Sequence, residues 1–88
     1  MRIIKLSGGK QEFNPKKISV AIGKANDSVP KAKHFPKNYI PAYTAQTVAA
    51  CENLGHTPTV QEVQDIVEDV LMDSGHHEVA RSYIKYRY

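Results

Sequence analysis

The chain has 88 residues, of which 41% are hydrophobic and 24% charged, with a formal net charge of +3 at pH 7. That is enough for one domain burying roughly two-thirds of its unfolded surface, too apolar for a disordered tail and without a run that could span a bilayer. A single cysteine, Cys51, excludes an internal disulfide and a zinc ribbon, and the modest positive charge suits a small anionic ligand at least as well as a duplex.

The chain opens on Met1-Arg2-Ile3, too short and polar a start for a signal peptide, which makes cytoplasm the default compartment. Ile3, Ile4 and Leu6 are strand formers, Ser7-Gly8-Gly9 is a turn signal, and Gln11-Glu12-Phe13 is a second extended run. Together they predict an N-terminal β-hairpin, too short to stand alone and expected to bury Ile4 and Phe13 against helices. Asn14 is a strong N-cap and Pro15 suits the first helical position, where its missing N–H costs nothing. A glycine turn, the lysines Lys5, Lys10, Lys16 and Lys17, and a helix N-terminus thus meet within a few residues. Each favours a bound anion, and a polyphosphate is the natural candidate.

Ile18, Ala21, Ile22, Ala25 and Val29 recur every three or four positions and predict an amphipathic helix over 15–28, stopped by Pro30. Residues 31–38 carry a proline and three lysines without periodicity and are expected to form an exposed loop. A second helix begins near Asn38 or Pro41, with Ile40, Tyr43, Thr47, Val48, Cys51 and Leu54 facing inward and Gly55 as its C-cap. Residues 55–58 form a turn that can add a third strand beside the hairpin. Thr59 followed by Glu62 is a capping box, opening a helix whose apolar face is Val60, Val63, Ile66, Val67, Val70 and Leu71 and whose end is Gly75. His76-His77 leads into a last helix with Val79, Ala80, Tyr83 and Ile84 inward, while Tyr86 and Tyr88 read as surface or as packing against a following domain. The expected fold is α+β: a single domain over 1–88, a four-helix cluster covered by the N-terminal hairpin or by a three-stranded sheet.

Catalytic chemistry finds no footing. The four histidines lack metal-ligand spacing, so no metal site is expected; His76 and His77 read as polar residues where a helix begins. There is no G-x-S-x-G elbow, and Cys51 falls where a core thiol belongs. Neither a Walker A loop nor G-x-G-x-x-G is present. No catalytic residue is assigned, and the chain is not expected to be an enzyme by itself.

Three blocks carry a resemblance: I-x-K-x-x-G-x-x-x-x-F-N-x-x-K-I at 3–18, T-V-Q-E-V-Q-D-I-V-E-D-V-L at 59–71, and E-V-A-R-S-Y-I-K-Y-R at 78–87. In this order they resemble the ATP-cone, the nucleotide-binding regulatory domain at the N-terminus of many ribonucleotide reductases, the anaerobic type among them. The chain departs from that pattern at Leu6, where the resemblance would place an arginine, and at Gln11, where it would place an acid. The resemblance implies an allosteric domain that senses ATP against dATP and sets the activity of a downstream catalytic domain. By the same likeness, Lys5 and Lys17 would contact phosphate, Asn14 phosphate or sugar, Ile3 and Val60 would wall the base, and Gln64 would reach a polar edge. Gln11 belongs to the same site, and Lys85 or Arg87 would add phosphate ligands. Magnesium would accompany the nucleotide, and binding could drive self-association. The chain reads as excised from a longer enzyme, with no membrane partner. Two alternatives remain open: a nucleic-acid-binding module related to the cone-containing repressor of reductase genes, disfavoured by the lack of a Cys-x-x-Cys pair, and a degenerate cone that only mediates subunit contact.

Overall fold

The computed structural model describes residues 1–5 and 7–87. Leu6, including the expectations placed on it, and Tyr88 lie outside the described residues. Strand β1 (Arg2–Ile4) pairs antiparallel with β2 (Lys10–Glu12). The helices are α1 (Lys16–Ser28), α2 (Ile40–Glu52), α3 (Val60–Asp73) and α4 (His77–Arg87). Each helix packs on its neighbours in sequence and α4 closes back on α1, so the core is a ring of four helices with the hairpin over one end.

The hairpin register decides which side chains face inward. Ile3 stands opposite Gln11 and Ile4 opposite Lys10, and the inward member is Ile3, only 2% exposed. Ile4, expected as the buried anchor, is half-buried; its N–H instead donates to the Pro58 carbonyl at 2.9 Å and bridges to Thr59 in parallel sense. The anticipated third strand is therefore reduced to a single bridge, because the chain turns into α3 immediately afterwards. Phe13 packs partly buried on the core, as expected. Gly8 has φ +91°, a left-handed conformation that a side chain would strain, so the hairpin depends on glycine there.

Both helix starts marked by capping residues form. The Asn14 side-chain oxygen accepts from the Lys16 N–H at 2.9 Å. The Thr59 hydroxyl accepts from the Glu62 N–H at 3.1 Å while the Glu62 carboxylate accepts from the Thr59 N–H at 3.0 Å, a complete capping box. At the far end of α3, Gly75 (φ +85°) lets its own N–H reach the Met72 carbonyl and that of His76 reach Leu71, reversing the chain into α4.

Two further expectations need correction. Leu54 is 36% exposed, because α2 ends at Glu52 and the chain has already left the helical stripe. The segment after α1 is not a plain exposed loop. It folds into two single 3-10 turns, Lys31–Lys33 and Lys37–Tyr39, around Phe35, which is 3% exposed. The anchor is Asn26 on α1, buried to 1% exposure, whose amide donates to the Phe35 carbonyl and accepts from its N–H, both at 3.0 Å. His34 adds a bond from Nε2 to the Val29 carbonyl at 2.8 Å. Among the described residues no helix is long and apolar enough to cross a membrane.

Candidate functional site

A cleft of about 550 Å³ opens between α1, along Lys16 to Lys24, and the C-terminal turns of α4, with Gln64 of α3 also in its lining. Helix α1 contributes Lys16, Lys17, Val20, Ala21 and Lys24; α4 contributes Tyr83, Tyr86 and Arg87; α3 contributes Gln64, and Asn14 closes the hairpin end. The helical period explains the α1 wall, since positions 17, 20, 21 and 24 stand on one face. Four cations and no carboxylate line it. Lys16, Lys17 and Lys24 are exposed and none is ion-paired among the described residues, although the Lys17 ammonium lies 5.8 Å from the centre of the Phe13 ring. The first N–H groups of α1 are engaged within the chain, that of Lys16 by the Asn14 side chain and that of Lys17 by the Asn14 carbonyl, so the lysines supply the charge of this wall.

Arg87 is held differently. Its side chain is 5% exposed, and its Nη1 lies 2.8 Å from an Asp65 carboxylate oxygen and 3.1 Å from one of Glu68. The opposite wall is aromatic. Tyr83 is buried, and desolvation pushes its hydroxyl up to about 12, so it remains neutral at any ordinary pH. Tyr86 is 66% exposed and presents a ring to the cleft. Such a surface can neutralise a multiply charged anion at one side and cover a planar group at the other.

Of the residues singled out in the sequence, the fold brings Asn14, Lys17, Gln64 and Arg87 together in this cleft. Ile3, Lys5, Gln11, Val60 and Lys85 lie outside its lining: Ile3 is in the core, Lys5 is exposed at the end of β1, Gln11 is half-buried opposite Ile3, Val60 is part-buried at the start of α3, and Lys85 is exposed on α4. Sequence reading did not single out Lys24, although its spacing of seven from Lys17 marks the same face. It also set Tyr86 aside as a surface residue.

Elsewhere the chemistry is quiet. No three His, Cys, Asp or Glu side chains among the described residues converge on a point that could hold a metal. Burial raises the Cys51 thiol above its usual range, which keeps it protonated and unreactive. His76 is not a plain polar residue at a helix start. Its ring stacks on Phe35 with centroids 4.6 Å apart, its Nε2 lies 2.7 Å from the Tyr43 hydroxyl, and burial holds it below the ordinary histidine range.

Fold and site together define a small α+β domain with a basic, aromatic-walled cleft. The whole chain, residues 1–88, matches the ATP cone domain, and it belongs to that family. It is 36% identical over 97% of its length to the ribonucleoside-diphosphate reductase subunit alpha of Chlamydia pneumoniae. It is 35% identical over 98% to the anaerobic ribonucleoside-triphosphate reductase of Haemophilus influenzae, and 37% identical over 97% to the vitamin B12-dependent ribonucleoside-diphosphate reductase of Thermoplasma acidophilum. The chain spans 9%, 12% and 11% of those three proteins, so the likeness is to one domain of each.

Proposed function

We propose that this domain binds adenine nucleotides, ATP and dATP, as allosteric effectors and regulates the overall activity of a ribonucleotide reductase catalytic domain, without turning the nucleotide over. The observation that carries the reading is the cleft: three exposed lysines and a capped helix N-terminus opposite Tyr86, in a chain that matches the ATP cone domain from end to end. Its volume lies within the range of small-molecule sites. Lys16, Lys17 and Lys24 take the phosphates, Asn14 stands at the helix end beside them, and Tyr86 with Val20 and Ala21 covers the base. Gln64 supplies a polar edge. Among the sequence-derived candidates, Lys5 and Gln11 on the hairpin contribute if the phosphates extend beyond the cleft, and Lys85 is an outer charge. Magnesium would enter with the triphosphate, since Asp65 and Glu68 are already engaged with Arg87.

Regulation by such a domain is a difference in nucleotide affinity between two states of the assembly, not chemistry. Helix α4 lines the cleft and packs on both α1 and α3, so it is the element through which occupancy is passed on. The test is isothermal titration of the domain with ATP, dATP and adenosine, with size-exclusion chromatography in each nucleotide. Saturable binding of the triphosphates, weak binding of adenosine and no steady release of phosphate are expected. Sustained hydrolysis after repurification, or no binding of either triphosphate, overturns the reading.

A further inference from the structure

Gln61, Asp65 and Glu68 occupy successive turns on one stripe of α3, and all three converge on one side chain of α4. The Arg87 guanidinium meets Asp65 at 2.8 Å and Glu68 at 3.1 Å through Nη1, and its Nη2 donates to the Gln61 carbonyl at 3.4 Å. Two carboxylates for one guanidinium leave an excess negative charge beside a cleft whose other cations are lysines. Asp65 is itself 65% exposed, so water can replace the arginine at that carboxylate at small cost. Arg87, with five N–H donors in a rigid fork, is equally suited to a phosphate.

We propose that Asp65 and Glu68 form a latch that holds Arg87 on α3, and that a polyphosphate in the cleft draws Arg87 away from them. This rests on the cleft taking a polyphosphate, and it names the switch inside that site. With the cleft empty, the ion pairs tie the last turn of α4 to α3. A triphosphate brings several negative charges toward the same guanidinium and repels the two carboxylates, so the pairing partner changes and α4 is released from α3 at its end. Part of the binding energy is spent on breaking the latch, so the latched domain binds more weakly than an unlatched one. Asp65 and Glu68 are therefore positioning residues that act on the ligand through Arg87.

The test is a calorimetric cycle at one salt concentration, with ATP and with sodium tripolyphosphate as a probe that has no base. Asp65→Asn combined with Glu68→Gln should tighten both ligands about three- to tenfold. Asp69→Asn with Asp73→Asn removes the same charge from exposed positions on the same helix and should tighten them far less. In an Arg87→Gln background the gain from the Asp65/Glu68 pair should vanish. Equal tightening by the two pairs, or a gain that survives in the Arg87→Gln background, overturns the latch and leaves only the general field. Should Arg87→Gln fail to fold by circular dichroism, the comparison of the two carboxylate pairs decides alone. Binding by the wild-type domain without any gain from the Asp65/Glu68 pair rejects the latch but keeps the site. Binding of neither ligand by wild type or variant rejects the site itself and the latch with it, whereas binding that appears only in the Asp65/Glu68 variant supports the latch.

Discussion

The two ends of α1 use polar side chains in opposite ways. At its C-terminal end Asn26 is buried and spends both ends of its amide on the Phe35 backbone, while nearby His76 meets the Tyr43 hydroxyl and the face of Phe35. Those groups are satisfied within the protein. At the N-terminal end Lys16 and Lys17 are exposed around a cleft and have no ion-pair partner among the described residues. Burial with complete pairing stabilises the fold, and exposure with convergent charge awaits a ligand. One helix thus carries a structural clamp at Asn26 and a binding surface whose first lysines, Lys16 and Lys17, stand about 13–15 Å from it, at 1.5 Å of rise per residue.

The clamp should break most heavily. Asn26→Ala leaves the Phe35 N–H and carbonyl buried without their partner and should cost about 2–4 kcal/mol, read as a lower denaturant midpoint. Nucleotide affinity of the fraction that remains folded should hardly change. A loss of affinity with intact stability would show that the two ends are not separate.

The cleft should respond in the reverse sense. Lys17→Ala removes a charge-assisted contact worth about 1.5–3 kcal/mol, a loss of roughly tenfold to a hundredfold in affinity for ATP and dATP, with the unliganded melting temperature almost unmoved. Lys31→Ala, on an exposed residue outside the cleft, should do almost nothing to either quantity. Lys5→Ala and Lys24→Ala then locate the phosphates: a loss at Lys5 extends the site onto the hairpin, and a loss at Lys24 runs it along α1. Small, equal losses across all four variants would leave only general charge attraction.

What the sequence revealed of these regions follows from how far apart the partners lie. The Asn14 cap and the Thr59–Glu62 box are legible because their partners are two or three residues away and the side-chain types are selective for that geometry. The helical stripes are legible because they repeat. Asn26 with Phe35 is not: an asparagine inside an apolar stripe and a phenylalanine among lysines look like exceptions until the chain turns back on itself. Arg87 with Asp65 and Glu68 is separated by about twenty positions, and nothing local at either end marks the pair. The likeness would set Ile3 against the base, and the hairpin register, which no local signal fixes, turns its side chain into the core.

A smaller effect tests the local signals themselves. Thr59→Ala removes the acceptor for the Glu62 N–H and should destabilise the domain by about 1 kcal/mol. The Glu62 carboxyl is held below its usual range chiefly by the bond from the Thr59 N–H, then by His56. A depressed carboxylate contributes stability above its unfolded value and loses it as pH falls through the folded one, so the acid limb should persist in Thr59→Ala, where that backbone donor remains. Unchanged midpoints in Thr59→Ala would mean that the box forms without supporting the helix.

The smallest effect belongs to His76, and it sharpens the view of the clamp as a closed polar system. Burial holds the imidazole below its ordinary value near 6.5. The unfolded chain therefore takes up the proton more readily than the folded one, and stability must rise with pH wherever their protonation differs. As pH falls through the unfolded value the domain should lose stability, levelling off once the folded ring is protonated as well. The neutral ring can accept from the Tyr43 hydroxyl at 2.7 Å while its face lies on Phe35; the protonated ring gives up that acceptor and carries charge into a partly buried aromatic cluster. The quantity to measure is therefore a difference between wild type and variant. Denaturant midpoints of wild type and His76→Gln should diverge near neutral pH and converge as pH falls through the histidine range. Parallel curves would mean that water reaches the ring freely, and that the clamp end of α1 is open rather than closed.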